Sequence, residues 1–229
     1  ERDVVDEEPD KYFIHDRSMR ESGHDTTNRL VGVCANLNTV AINSLLYKYE
    51  TDIAFLIKKY FKNEFQFFED KSFTSDYWLL KASARKEKIN KLLWNSENGI
   101  YYDYDFVNEK QHVFEAATTF YPLWAKISTQ EQAEILVKKT LPKFKMKGGI
   151  AGCTKESIAG VDENAPIRQW DYPFGWAPHQ MLLWEGLLNY NFNDEAQEMV
   201  YRWLWLITRN AVDYNGTIPE KFDLWISSH

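Results

Sequence analysis

Large apolar residues recur three and four positions apart from about residue 38 to 61: Leu45, Leu46, Tyr49, Ile53, Leu56, Ile57 and Tyr60. That period predicts an amphipathic helix of about six turns, because residues at this spacing share one face. A second helix is predicted over 75–94, with Trp78, Ala82, Ile89, Leu92 and Leu93 on its apolar side. Ser128-Thr129-Gln130-Glu131 reads as a capping box opening a helix that ends before Pro142. Helix is expected again over 177–190. Asp194 with Gln197 should cap another running to about Val212, with Met199, Val200, Trp203, Leu204 and Ile207 turned inward.

Between these helices the pattern changes. Residues 95–111 read as one small hairpin, with a turn at Asn98-Gly99 and a second break at Val107-Asn108. Gly148-Gly149-Ile150-Ala151-Gly152 reads as a flexible bend. Residues 13–25 crowd acids and bases, as a solvated helix face does, then break at Gly23 before Asp25, Thr26, Thr27 and Arg29. Residues 1–10 are acidic and read as a linker, leaving 11–229 as one unit. Helices alternating with long loops, and strand confined to one hairpin, predict an all-α array of helical hairpins, closed or ring-like. No fixed-period repeat supports a short-unit solenoid.

Composition narrows the function. The chain has 229 residues, is 44% hydrophobic and carries a net charge of -7. That acidity argues against nucleic acid or an anionic membrane as the main partner. No apolar run approaches the roughly 20 residues of a membrane span, and the acidic start is unlike a signal sequence. The chain begins without Met, so a longer sequence is expected upstream. Cys34 and Cys153 stand far apart, which fits reduced thiols, and the five His lack metal-ligand spacing. Neither a metal nor a cofactor is expected. Asn215-Gly216-Thr217 is a formal glycosylation triplet that reads better as a turn.

The chemistry concentrates in Gln169-Trp170-Asp171-Tyr172-Pro173-Phe174-Gly175-Trp176-Ala177-Pro178-His179-Gln180. Two prolines and a glycine exclude continuous helix, so this is an ordered loop feeding the helix after it. Flat aromatic faces beside a carboxylate suit a sugar, although a packed aromatic corner explains such a loop about as well. Cleaving a sugar acetal takes two carboxyl groups flanking the bond. Asp25, Asp171, Glu220 and Asp223 are the acids outside helices that sit near Gly, Pro or aromatic residues. Residue types alone leave the pair open.

Three motifs carry a resemblance. Glu21-Ser22-Gly23-His24-Asp25-Thr26-Thr27 resembles the Glu-Ser-Gly-Trp-Asp motif of trehalases. Gln169 to Pro178 is similar to their second signature, Gln-Trp-Asp-x-Pro-x-Gly-Trp-Ala-Pro, at every fixed position. Pro219-Glu220-Lys221-Phe222-Asp223 looks like their Glu-Lys-Tyr/Phe-Asp segment. His24 in place of Trp, with Phe13-Ile14-His15-Asp16-Arg17 upstream, looks most like the neutral, cytosolic fungal branch.

The resemblance implies an (α/α)6 toroid of the six-hairpin glycosidase type, of which this chain is the C-terminal part. It also implies inverting hydrolysis of α,α-trehalose to two glucose molecules in the cytoplasm. By the family's pattern Asp25 is the general acid and Glu220 the general base. Arg20 and Gly23 fall at substrate-contact positions, and Trp170, Asp171 and Trp176 wall the pocket. The family's first signature, Pro-Gly-Gly-Arg-Phe with its Trp-Asp-Ser-Tyr-Phe block, has no counterpart here. The expected partners are therefore trehalose and either full-length trehalase or a missing amino-terminal half. The alternatives are a truncated, non-catalytic protein that binds sugar or associates with trehalase, and another α/α-toroid carbohydrate enzyme.

Overall fold

Helix α2 (Val40–Tyr60) begins where Thr39 caps it, the hydroxyl accepting from the Ile42 amide at 3.3 Å. It packs along α3 (Ser75–Leu92), which Thr74 caps in the same way. Ala41, Ser44, Ala54 and Ile57 of α2 and Ala82 and Ile89 of α3 are buried. A partly enclosed ion pair, Glu50 with Arg85 at 2.8 Å, also joins the two helices. The apolar period therefore misassigns part of the inner face. Leu46, Tyr49, Leu56 and Tyr60 of that period are exposed.

The computed structural model describes residues 7–68, 71–162 and 164–225. Helix α1 (Glu7–Glu21) starts inside the stretch expected to be a linker; residues 1–6 lie outside the described residues. After α3 come α4 (Tyr121–Trp124), α5 (Gln130–Ile135), α6 (Leu141–Phe144), α7 (Ala177–Asn189) and α8 (Asn193–Asp213). The capping box is present one residue later than read, between Thr129 and Gln132. Pro142 does not end the helical run. A wide π turn over Leu136–Thr140 resets the ladder, so proline stands in the first turn of α6, where a missing N–H costs no bond.

Helix α7 packs between α4 and α8, with Gly186 against α4. A methyl there would lie 2.8 Å from Leu123 Cβ. Asp194 is not the cap of α8. It lies in the first turn, where a carboxylate favours the positive helix end, and the buried positions are Ala196, Met199, Trp203 and Leu206 rather than Leu204. One core joins α3, α4, α5, α7 and α8 around Ile89, Phe120, Leu123, Leu136, Phe144 and Leu183. A second gathers Trp203, Leu206, Phe222 and Leu224 beneath the signature loop.

Strand content exceeds one hairpin: among the described residues there are five small sheets. The 95–111 stretch splits in two, with Trp94–Asn95 pairing with Ile100–Tyr101 and Asp103–Asp105 pairing with Lys110–His112. A Phe-rich hairpin over Glu64–Phe68 and Lys71–Thr74 was unread, because its outward faces leave no alternation. The glycine stretch is not a flexible bend. Residues 148–152 are buried, and the Gln180 amide clasps Ile150 through its N–H (2.9 Å) and carbonyl (2.7 Å).

Candidate active site

The site is built on three consecutive residues, Gln169, Trp170 and Asp171, which bind four others, residues 25–28, one after another. The Gln169 amide Nε2 donates to the Asp25 carbonyl. The Trp170 amide donates to the Thr26 carbonyl at 3.2 Å. Asp171 then takes three bonds: from the Thr27 hydroxyl at 2.5 Å, the Asn28 amide at 2.8 Å and the Asn28 side chain at 2.7 Å. At 2% exposure its carboxylate is enclosed, and burial raises its pKa while the Thr27 and Asn28 bonds oppose that shift. Asp25 is half-buried at the head of this contact, with a cis peptide to Thr26.

The other end of the chain reaches the same loop. Lys221–Asp223 pairs antiparallel with Phe174–Trp176, setting Lys221 opposite Trp176 and Phe222 opposite Gly175. Phe222 and Leu224 anchor this strand in the second core. The Lys221 ammonium lies 3.2 Å from Gln169 Oε1 and sits over the Trp176 and Phe174 rings at 5.9 and 5.8 Å. Glu220, just before this strand, is exposed. One loop thus holds both acid-bearing segments.

Gly152 makes this packing possible. A Cβ there would lie 2.0 Å from the Trp170 carbonyl oxygen, while the Gly152 amide donates to the Phe174 carbonyl at 2.8 Å. Trp170 stacks on Trp176, centroids 4.0 Å apart and planes 6° off parallel. Trp176 is buried, its indole N–H donating to the Gln169 carbonyl at 2.7 Å, whereas Trp170 is half-buried. Behind Trp170 lie His24 and His179, edge-on to its ring at 4.8 and 5.2 Å, with their Nε2 atoms 3.5 Å apart. Burial pushes His24 down to about 4 and His179 well below the ordinary imidazole value. Two neutral rings can share one hydrogen bond, one as donor and one as acceptor.

Beneath residues 25–28, Arg29 is buried and meets Asp103 through Nε (2.6 Å) and a terminal nitrogen (3.2 Å). Asp103 also accepts from the Val40 amide at 2.8 Å, so one carboxylate joins this loop to the first turn of α2. A cavity of about 400 Å³ opens between the end of α1 and the start of α2, lined in part by Glu21, Ser22, His24 and Arg29. Asp25 and Glu220 lie outside that lining.

Arg20 is exposed in the last turn of α1, its guanidinium held by Asp16 at 2.9 and 3.3 Å. Asp16 first, and Asp25 more weakly, raise its pKa. Gly23 turns the chain after α1 at φ +78°, a conformation that disfavours a side chain even though nothing crowds the position. Sequence reasoning left Gln169, Thr27 and Asn28 without a structural part, and missed Asp103 and His179. Gln169 had a signal, as the first fixed position of the long motif. Asp103 had none, since it meets Arg29 across 74 residues.

The family model described as Trehalase matches residues 1–227. A probable trehalase of Eremothecium gossypii is 50% identical over 222 residues, covering 97% of this chain and 30% of that relative. A cytosolic neutral trehalase of Kluyveromyces lactis is 51% identical over 215 residues, covering 94% of this chain and 28% of that relative. Among solved structures, neutral trehalase Nth1 from Saccharomyces cerevisiae superposes with a TM-score of 0.91 at 47% identity, over 96% of this chain and 40% of that one. A GH63 mannosylglycerate hydrolase of Thermus thermophilus, at a TM-score of 0.65 and 18% identity over 82% of this chain and 40% of that one, shares the fold. The helical hairpins are thus part of an α/α toroid, and the chain spans about 30% of the length of the curated relatives it matches.

Proposed function

This chain belongs to the trehalase family, and from that premise we propose that it carries the acid and base of α,α-trehalose hydrolysis in the cytosol. Asp25 protonates the oxygen of the glucose–glucose linkage. Glu220 takes a proton from the water that attacks the anomeric carbon from the opposite face, inverting it. The observation that carries this reading is the loop of Gln169 to Trp176, which grips the Asp25 segment through residues 169–171 and the Glu220 segment through the strand at Phe174–Trp176.

Several features support the roles. Exposure gives Glu220 access to the water it must activate. Trp170, half-buried on the Trp176 ring, presents a flat edge to a sugar, while Arg20 and Gly23 border the Asp25 turn. Asp171 serves the site by holding Thr27 and Asn28 in place. The outer face of α2 exposes Tyr49, Phe55, Leu56 and Tyr60, which favours work in association with the rest of a toroid, supplied by a longer chain or a partner. Among the described residues no helix is long and apolar enough to cross a membrane.

The test is glucose release from trehalose by this chain, alone and with the amino-terminal part of a neutral trehalase, with maltose and kojibiose as controls. Release from trehalose only, in either arm, supports the reading. Sugar binding without release in both arms supports a non-catalytic sugar-binding protein instead, and release from maltose or kojibiose supports another toroid glycosidase.

A further inference from the structure

Gln169 is attached to two parts of the protein at once, through opposite ends of a single side-chain amide. Its Nε2 donates to the main-chain carbonyl of Asp25, and its Oε1 accepts from the ammonium of Lys221, the residue after Glu220. The partners fix the orientation. A carbonyl oxygen only accepts and an ammonium only donates, so the amide fits one way round and a flipped side chain would lose both bonds. The requirement also fixes the residue type: glutamate offers only acceptors at that length, leucine offers neither, and asparagine is one methylene too short.

The side chain is half-buried and its own carbonyl is held by the Trp176 indole at 2.7 Å, so its backbone is set independently of the two side-chain bonds. The Lys221 ammonium is drawn over the Trp176 and Phe174 rings toward Oε1, which pins the start of the strand that follows Glu220. Among the described residues no hydrogen bond joins 25 to 221 directly, and this amide bridges them.

We infer that Gln169 is a positioning residue whose amide sets the spacing between the Asp25 and Glu220 segments, and that each half of the amide governs one segment separately. The inference rests on the proposed pairing of Asp25 with Glu220 for its catalytic meaning, but its physical content, two separable restraints, stands without any turnover.

The test is hydrogen–deuterium exchange of the intact 229-residue chain, followed by mass spectrometry in peptides spanning 23–30 and 220–225, for wild type and three variants. Gln169→Leu removes both restraints and should speed exchange in both peptides by roughly tenfold, the loss of about one hydrogen bond each. Gln169→Glu keeps an acceptor for Lys221 but faces the Asp25 carbonyl with another oxygen, so only 23–30 should loosen. Lys221→Met should loosen only 220–225. Peptides from α3 and α7 should stay at the wild-type rate in all three. Equal loosening of both peptides by Gln169→Glu, no change in either, or a uniform rise across the chain would overturn the bridge. Where trehalose turnover is measurable, Gln169→Glu should lower kcat with KM little changed. Loss of turnover with unchanged exchange would count against the bridge, whereas the predicted exchange pattern without turnover in any variant would count against the hydrolase reading alone.

Discussion

Asp171 Oδ1 lies 2.5 Å from the hydroxyl of Thr27, across 144 residues of chain. With Asn28 supplying two more donors, this carboxylate joins the signature loop to the segment carrying Asp25. In Asp171→Ala no acceptor faces the Thr27 hydroxyl or the two Asn28 donors, leaving enclosed polar groups unpaired. The expected cost is about 2–3 kcal/mol, read as a lower denaturant midpoint. A change under about 0.5 kcal/mol, the range of an ordinary surface substitution, would mean the carboxylate is not the joint it resembles.

Gly152→Ala should be more damaging than its one methyl suggests. The new Cβ would meet a main-chain oxygen, that of Trp170, at 2.0 Å, and backbone cannot swing away as a side-chain tip can. Overpacking of this kind costs about 3 kcal/mol or more. Gly160→Ala, with nothing within 4 Å, is the control and should leave the melting temperature unchanged.

Arg29 and Asp103 form a buried ion pair, each side chain 4% exposed. Asp103→Leu strands a buried guanidinium and frees the Val40 amide, so the loss should reach about 3–5 kcal/mol. Replacing both, as Arg29→Met with Asp103→Leu, should cost less than the single change. A double-mutant cycle by urea unfolding reads the difference, and simple additivity would contradict the pairing.

The His24–His179 contact gives a pH dependence with a defined sign. The folded value of His24, about 4, lies below the ordinary imidazole value near 6.5. Between those values the unfolded chain binds more protons than the folded one, so stability falls as pH drops from about 6.5 toward 4 and is complete above that window. Burial first, then Arg29, opposes a charge on His24, while the Ser22 hydrogen bond and Asp103 favour it; His24 in turn opposes one on His179. His24→Gln should flatten this slope by up to about one proton's worth, on the order of 2–3 kcal/mol across the window. Parallel curves for wild type and variant would exclude the effect.

The sequence made most helices legible, because period is local: the glycine turn at residue 99 sits where read, and the capping box lies one residue on, at Thr129. What stayed hidden depends on contact. On α2, Ala41, Ser44 and Ala54 are buried while Leu46 and Tyr49 are exposed, and no period reveals which face the neighbouring elements cover. The motifs marked the loops that meet, yet not how. Asp171, expected to wall a pocket, spends its oxygens on Thr27 and Asn28, and Gln169, a fixed motif position with no assigned part, bridges two segments. Such roles follow from partners 52 to 144 residues away, beyond any local pattern.

The decisive observation is proton NMR of α,α-trehalose incubated with this chain and the amino-terminal part of the Kluyveromyces lactis relative, for wild type, Asp25→Asn and Glu220→Gln. If Asp25 and Glu220 flank one linkage, the wild-type assembly releases α- and β-glucose in equal initial amounts, and each variant loses nearly all turnover while keeping its fold. Near-wild-type release from either variant, α-glucose alone as the first product, or no release from the wild-type assembly beside an active full-length relative would contradict that pairing.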